Sequence, residues 1–185
     1  MTGWELPVHW QTGGHSYGLH CDFRDVLEIL GYLNDRELPD FVKWEVALEL
    51  FYREPIPAEK RQEARAFLSL FLNGGREDAH NGEPGLIDWE LDAGLIVADL
   101  NRVAGQEIRS LPFVHWWTFL SWFHAIGEGQ LATVVTIRNK LRRGSKLEQW
   151  EREYYTRNRA LVDRKKPYTP EEKARQDYWN RLLGD

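Results

Sequence analysis

Six histidines, one cysteine and scattered carboxylates are the side chains here that could hold a metal or move a proton. His15, His20, Cys21 and Asp22 stand close together and are the right types for a zinc ligand set. Their placement argues against one. His20 and Cys21 are adjacent, and adjacent side chains on an extended strand leave opposite faces. No two of His9, His15, His20, His80, His115 and His124 have the i, i+4 spacing of a zinc-binding helix, and Cys21 has no CxxC partner. No metal site and no cofactor are expected.

His115 and His124 lie nine residues apart on an aromatic stretch, after a segment bearing Asp88, Glu90, Asp92 and Asp99. A His–Asp proton relay is one reading. No Ser or Cys stands in a nucleophile elbow beside it. The favoured reading is a partly buried His bonded to a backbone carbonyl. The glycines at Gly13-Gly14, at Gly74-Gly75, and at Gly82 and Gly85 form neither a P-loop nor a GxGxxG turn before a helix, so no nucleotide site is read. An enzyme ranks last among the function classes.

The basic segment Arg138 to Lys166 holds 11 basic and 4 acidic residues, interleaved with Trp150, Tyr154 and Tyr155. Basic residues with aromatics can hold a nucleic-acid strand. Glu148, Glu151 and Glu153 interrupt the patch, and Leu147, Trp150 and Tyr154 have the spacing of a buried helical stripe. Nucleic-acid binding is therefore not the expected role.

The elements that must position these residues follow from periodicity. Glu5 to Trp10 reads as a strand, Gln11 to Gly14 as a hairpin turn, and His15 to His20 as the return strand. Asp22 caps a helix with Phe23, Val26, Leu27, Leu30 and Leu33 on one stripe. A second helix follows Pro39, with Phe41, Trp44, Leu48 and Phe51 on one face and Val42, Val46 and Leu50 on another, so it is placed centrally. Pro55-Ile56-Pro57 breaks the chain before a third helix that ends at Gly74-Gly75. Gly74 to Gly85 reads as a polar loop.

Ile87 to Gly144 is the stretch around which the chain is organised. It reads as three helices: Asp88 to Ala104, one opened by Pro112 and running to Ile126, and Gln130 to Leu141. The third has Leu131, Val134, Val135 and Leu141 inward and Arg138, Lys140 and Arg142 outward. Ser145-Lys146-Leu147-Glu148 reads as a capping box for a further helix with Leu147, Trp150, Tyr154 and Leu161 on one stripe. Arg164 to Pro167 is read as a linker, and Thr169-Pro170-Glu171-Glu172 as the start of a last helix bearing Tyr178, Trp179, Leu182 and Leu183. The fold expected is mainly α. It is a multi-helix domain over residues 1–163 with a β-hairpin at about 5–20, followed by a linker and C-terminal helix over 164–185.

The chain is long enough for one domain with a core. It has nine Trp beside one Met and one Cys. Trp is enriched at interfaces, so the count fits a core plus a contact face as well as a Trp-rich core. A lone cysteine supports no internal disulfide and fits a reducing compartment. No run of 18 apolar residues and no signal-peptide pattern is present, so an intracellular, non-membrane protein is expected. Net charge is −5 but divided. Met1 to Ile137 has 10 basic against 21 acidic residues, and Arg138 to Asp185 has 14 against 8. An acidic body with a basic tail could pair tail to body or join copies head to tail.

The organising stretch carries a resemblance. Asp88-Trp89-Glu90 with Asp92, Ile96-Val97-Ala98-Asp99-Leu100, His115-Trp116-Trp117-Thr118-Phe119 and Ile137-Arg138-Asn139-Lys140-Leu141 together resemble the gp-fifteen family of tailed bacteriophages and prophages of Gram-positive hosts. The likeness extends from about Val8 to about Asp163, with His-Trp-Trp-Thr-Phe its most specific part. It implies a tail assembly chaperone that coats the apolar tape measure protein, acts in the bacterial host cytoplasm and is absent from the finished virion. The implied partners are the tape measure protein, the major tail protein and a shorter companion chaperone, with self-association. No catalytic residues are implied.

A coat for an apolar filament needs exposed apolar surface, and Pro112 to Ile126 is apolar around nearly its whole circumference. Trp116, Trp117, Phe119, Trp122 and Phe123 are the candidate partner-binding residues. The alternative is a structural component of the virion, such as a connector or minor tail protein.

Overall fold

Gly13 and Gly14 have φ of 55° and 77°, the left-handed pair that a two-residue type I′ hairpin turn requires. They join β1 (His9–Thr12) to β2 (His15–Gly18), paired antiparallel with Trp10 opposite Tyr17. Both of those rings face inward; Trp10 meets Tyr52 and Phe67, and Tyr17 meets Tyr52. A lone hairpin is marginal in water, and this one leans on the helices. Leu19 bridges to Tyr52, the Arg53 N–H donates to the Gly18 carbonyl at 3.0 Å, and the Lys60 ammonium donates to the Thr12 carbonyl at 3.1 Å.

The computed structural model describes residues 4–35, 37–77 and 85–164. Over these the protein is mainly helical with the short N-terminal hairpin, as the periodicity predicts. The helices are α1 (Phe23–Asn34), α2 (Asp40–Phe51), α3 (Arg61–Leu72), α4 (Ala93–Ala104), α5 (Trp116–His124), α6 (Gln130–Arg142), α7 (Gln149–Arg157) and α8 (Arg159–Val162). The readings at Arg36, over 78–84 and over 165–185, including the second capping box and the last helix, lie outside the described residues.

One set of long-range bonds ties the N-terminal elements to α5. Cys21, Asp22 and Phe23 run antiparallel to Val114, His115 and Trp116. The Phe23 N–H donates to the Val114 carbonyl at 2.9 Å and the Trp116 N–H to the Cys21 carbonyl at 2.8 Å. Asp22 is the expected cap. Its Oδ1 accepts the Arg24 N–H, and its Oδ2 accepts the Val114 N–H from across the fold.

Four boundaries and faces differ from the expected ones, each for a local reason. The helix expected from Asp88 starts at Ala93, because the Asp88 carboxylate accepts the Glu90 and Leu91 N–H groups and holds a turn. The helix expected from Pro112 starts at Trp116, because pairing with Cys21 to Phe23 keeps Val114 extended. The capping box sits at Glu148 and Glu151 rather than at Ser145 and Glu148. Ser145 is already used at the end of α6, where Gly144 (φ 65°) lets the Ser145 N–H reach the Lys140 carbonyl in a Schellman closure. α2 is less central than expected: its buried residues are Ala47, Leu48 and Phe51, while Phe41 is exposed.

Candidate partner-binding surface

α5 begins at His115, whose ring is the helix cap. Nδ1 accepts the Trp117 N–H at 3.0 Å, and Nε2 lies 3.0 Å from the Pro7 carbonyl oxygen. An Nδ1 that accepts leaves Nε2 as the protonated nitrogen, so the ring is neutral. Burial pushes its pKa down, against a smaller upward effect of the Pro7 carbonyl. This is the partly buried, carbonyl-bonded histidine expected. His124 is exposed at the other end of α5. Among the described residues neither ring hydrogen-bonds a carboxylate, so the residues of the candidate relay are not brought together.

The five candidate contact residues divide. Trp116 and Phe119 are core, 1% and 2% exposed. Phe23, Phe119 and Trp116 form a near-parallel stack, with centroid spacings of 4.9 and 5.3 Å and interplanar angles of 8° and 15°. Trp89 packs against Trp116, Phe119 and Phe123. The exposed aromatic surface expected at Trp116 and Phe119 is thus interior. Trp117, Trp122 and Phe123 are half-buried against the same core.

The two consecutive tryptophans have a further task. Trp116 Nε1 donates to the Leu72 carbonyl at 3.0 Å, and Trp117 Nε1 to the Phe71 carbonyl at 2.9 Å. These carbonyls belong to the last turn of α3, past the end of the i+4 ladder, and Phe71 also accepts the Gly74 N–H at 3.0 Å. Trp117 also covers Gly75, where an added Cβ would lie 2.9 Å from the ring. The pair is a C-terminal cap made of indoles. Tertiary contact, not helical periodicity, carries that information.

Arg138 is the largest departure. Expected outward, it is 7% exposed and faces Asp92, which is 1% exposed. Two parallel bonds of 2.7 and 2.8 Å join guanidinium and carboxylate. Burial is the largest single influence and would raise the Asp92 carboxyl, but the Arg138 hydrogen bonds, the Asp88 N–H and the charges of Arg138 and Arg164 together hold it below its ordinary value. Lys140 reaches Glu151 at 2.6 Å and ties α7 to α6. Leu141, expected inward, is exposed.

Among the described residues no three of His, Cys, Asp and Glu converge as metal ligands, and no helix is long and apolar enough to cross a membrane. The metal-type residues are separated by burial: Cys21 is buried, while His15 and His20 are exposed.

Residues 5–163 match one family model, described as Bacteriophage Gp15 protein. The chain belongs to that family. Gp15 proteins serve phage tail assembly, and this chain shares that general role. No curated protein and no solved structure matches it.

In this Gp15 protein the large apolar side chains most exposed to solvent lie away from the centre of α5. Trp4 is 97% exposed, and Leu6 and Val8 follow at alternating positions, also exposed. Phe113 is exposed two residues before His115, whose ring bonds Pro7 of that N-terminal strip. Phe41 and Tyr32 are exposed on either side of the α1–α2 connection, and Leu141 and Trp150 on either side of the α6–α7 connection. Periodicity could have marked Trp4, Leu6 and Val8, which alternate ahead of the hairpin turn.

Proposed function

We propose that this protein is a tail assembly chaperone that binds the tape measure protein. It acts as a binding protein and not as an enzyme, in the host cytoplasm, and leaves before the virion is complete. The observation that carries this reading is the strip Trp4, Leu6 and Val8 with Phe113 beside its anchor at His115. A large aromatic left in water on a folded chain marks a surface that another molecule covers. A tape measure protein presents a long apolar helical surface, which such side chains would shield. Trp117, Trp122 and Phe123 extend the contact from the half-buried rim of α5, while Trp116 and Phe119 hold the fold that presents it. The major tail protein and a shorter companion chaperone are further partners in this reading.

The test is co-expression with the tape measure protein, followed by pull-down and size-exclusion chromatography. A soluble complex that needs this chain, and that weakens on Trp4→Ala or Phe113→Ala with folding intact, is the expected result. A tape measure protein that stays insoluble while this chain elutes alone overturns the reading. So does presence of the chain in purified virions.

A further inference from the structure

We propose that α7 and α8 form a strap that opens from α6 as one unit while the rest of the fold stays closed, and that opening bares a cationic face on α6. This device does not depend on the tape measure reading.

The strap is held mainly by polar groups. Among the described residues, Val162 is the only buried hydrophobic residue beyond Ile137. The one wholly buried side chain of α7 is a carboxylate, Glu151, 1% exposed. It takes the Lys140 ammonium of α6 at 2.6 and 2.8 Å. At the other end, Arg138 of α6 donates to the Leu161 and Val162 carbonyls, both at 2.8 Å. α8 leaves those carbonyls without a helical partner at its own end. Leu147, Tyr154, Tyr155 and Leu161 are only half-buried. Water replaces much of such polar bonding on opening, whereas freeing α3 or α5 would expose Phe71, Trp116 and Phe119. The strap therefore sits at the low-stability end of the fold.

Bonds within the strap make it one body. Asn158 Nδ2 donates to the Tyr154 carbonyl at 3.0 Å and the Tyr155 hydroxyl to Asp163 Oδ1 at 3.0 Å, which joins α7 to α8 across the break at Asn158. Its link to α6 is irregular chain from Arg143 to Glu148, a place for a hinge. Beyond α8, Arg164 is a clasp under strain. Its φ of 51° is left-handed, which a non-glycine residue adopts at a cost. Its Nη1 donates to the Gly85 carbonyl at 3.0 Å, and its Nε lies 3.7 Å from Asp92 with no hydrogen-bond partner although buried. Release relaxes that backbone. On opening, Lys140 loses its carboxylate and Arg138 loses two acceptors while keeping Asp92. The covered side of α6 becomes an open cationic one.

The experiment is amide hydrogen exchange of the full chain, read by mass spectrometry in native buffer and in low urea. Amides of α7 and α8 should exchange together, on the order of a hundredfold faster than those of α3 and α5. Glu151→Gln removes the charge that holds Lys140, and Arg164→Ala removes the clasp but keeps the strained backbone. Each should speed exchange of the whole strap by about tenfold or more, with α1 to α3 unchanged. The telling readout is the far end. No bond of Glu151 among those described reaches α8, so faster exchange of α8 in Glu151→Gln, and of α7 in Arg164→Ala, reports one opening and not local fraying. A strap as protected as α5 overturns the proposal. So do variants that change only the helix they touch, and variants that lower protection equally along the chain.

Discussion

Arg138 and Asp92 meet through two parallel hydrogen bonds inside the protein, and the remaining three guanidinium N–H groups are also bonded. Nε donates to the Val162 carbonyl, and the two terminal nitrogens reach the Leu161 and Leu86 carbonyls. One side chain therefore joins α6 to the start of α4, the end of α8 and the segment before Asp88. Removing Arg138 leaves the buried Asp92 carboxylate with only the Asp88 N–H and the more distant Arg164, and takes a donor from three carbonyls. Arg138→Met should cost about 3–5 kcal/mol, read as a shift in urea midpoint. Arg138→Lys should recover little, because an ammonium cannot supply a planar fork. A Lys variant of wild-type stability would show that charge alone matters.

A second contact depends on a missing side chain. Asp99 of α4 accepts the Leu131 N–H at the start of α6 at 3.1 Å. A Cβ on Gly129 would lie 2.5 Å from that carboxylate. The Gly129 backbone is extended (φ −177°), a conformation open to any residue, so space and not φ demands glycine. Gly129→Ala should destabilise by about 1–3 kcal/mol. In an Asp99→Ala background the same change should cost much less, giving a coupling of roughly 0.5–3 kcal/mol in a double-mutant cycle. Additive costs would place the strain elsewhere.

The tryptophans of α5 should separate from Trp4 in their effects. Trp116→Ala should cost about 3–5 kcal/mol by opening the core. Trp117→Phe keeps most of the ring but drops the bond to the Phe71 carbonyl, and should cost about 0.5–1.5 kcal/mol. Trp4→Ala should stay within about 0.5 kcal/mol of wild type while weakening partner capture. Thermal melts beside pull-downs check all three.

Acid should loosen the N-terminal end of α5 first. The His115 pKa is lowered in the fold by burial, so the unfolded chain binds the extra proton more readily. The contribution of the neutral ring is complete above the unfolded value of about 6.5. It diminishes as pH falls from there to the lowered folded value. Asp92, also lowered, gives stability that is lost only at more acid pH, as the pH falls through its folded pKa. Chemical denaturation between pH 8 and 5 should show stability falling with acid, with a shallower slope in His115→Asn. An unchanged slope would assign the dependence to another group.

The sequence made the hairpin, the Asp22 cap and the helical stripes legible, because each depends on residues near one another in the chain. It misled at Arg138, where a cation amid Lys140 and Arg142 looks like an outer face. Only Asp92, 46 positions earlier, turns it inward. The aromatic run of α5 failed for the same reason. Its rings look excessive for one helix until Phe23, Trp89 and the end of α3 are placed around them. Leu6 and Val8 fall in the expected strand Glu5 to Trp10 and Trp4 just before it; their alternation is legible, but only the tertiary fold shows that this apolar row is left uncovered.

The indole cap on α3 also has a consequence in time. Trp117 lies 46 positions after the Phe71 carbonyl it serves. At roughly 5–20 residues per second of synthesis, that interval is about 2–9 s. Through it, the Leu72 carbonyl lacks its indole donor, and the Phe71 carbonyl has the Gly74 N–H but not its indole. The last native contacts of α3 therefore form only after α5 has left the exit tunnel.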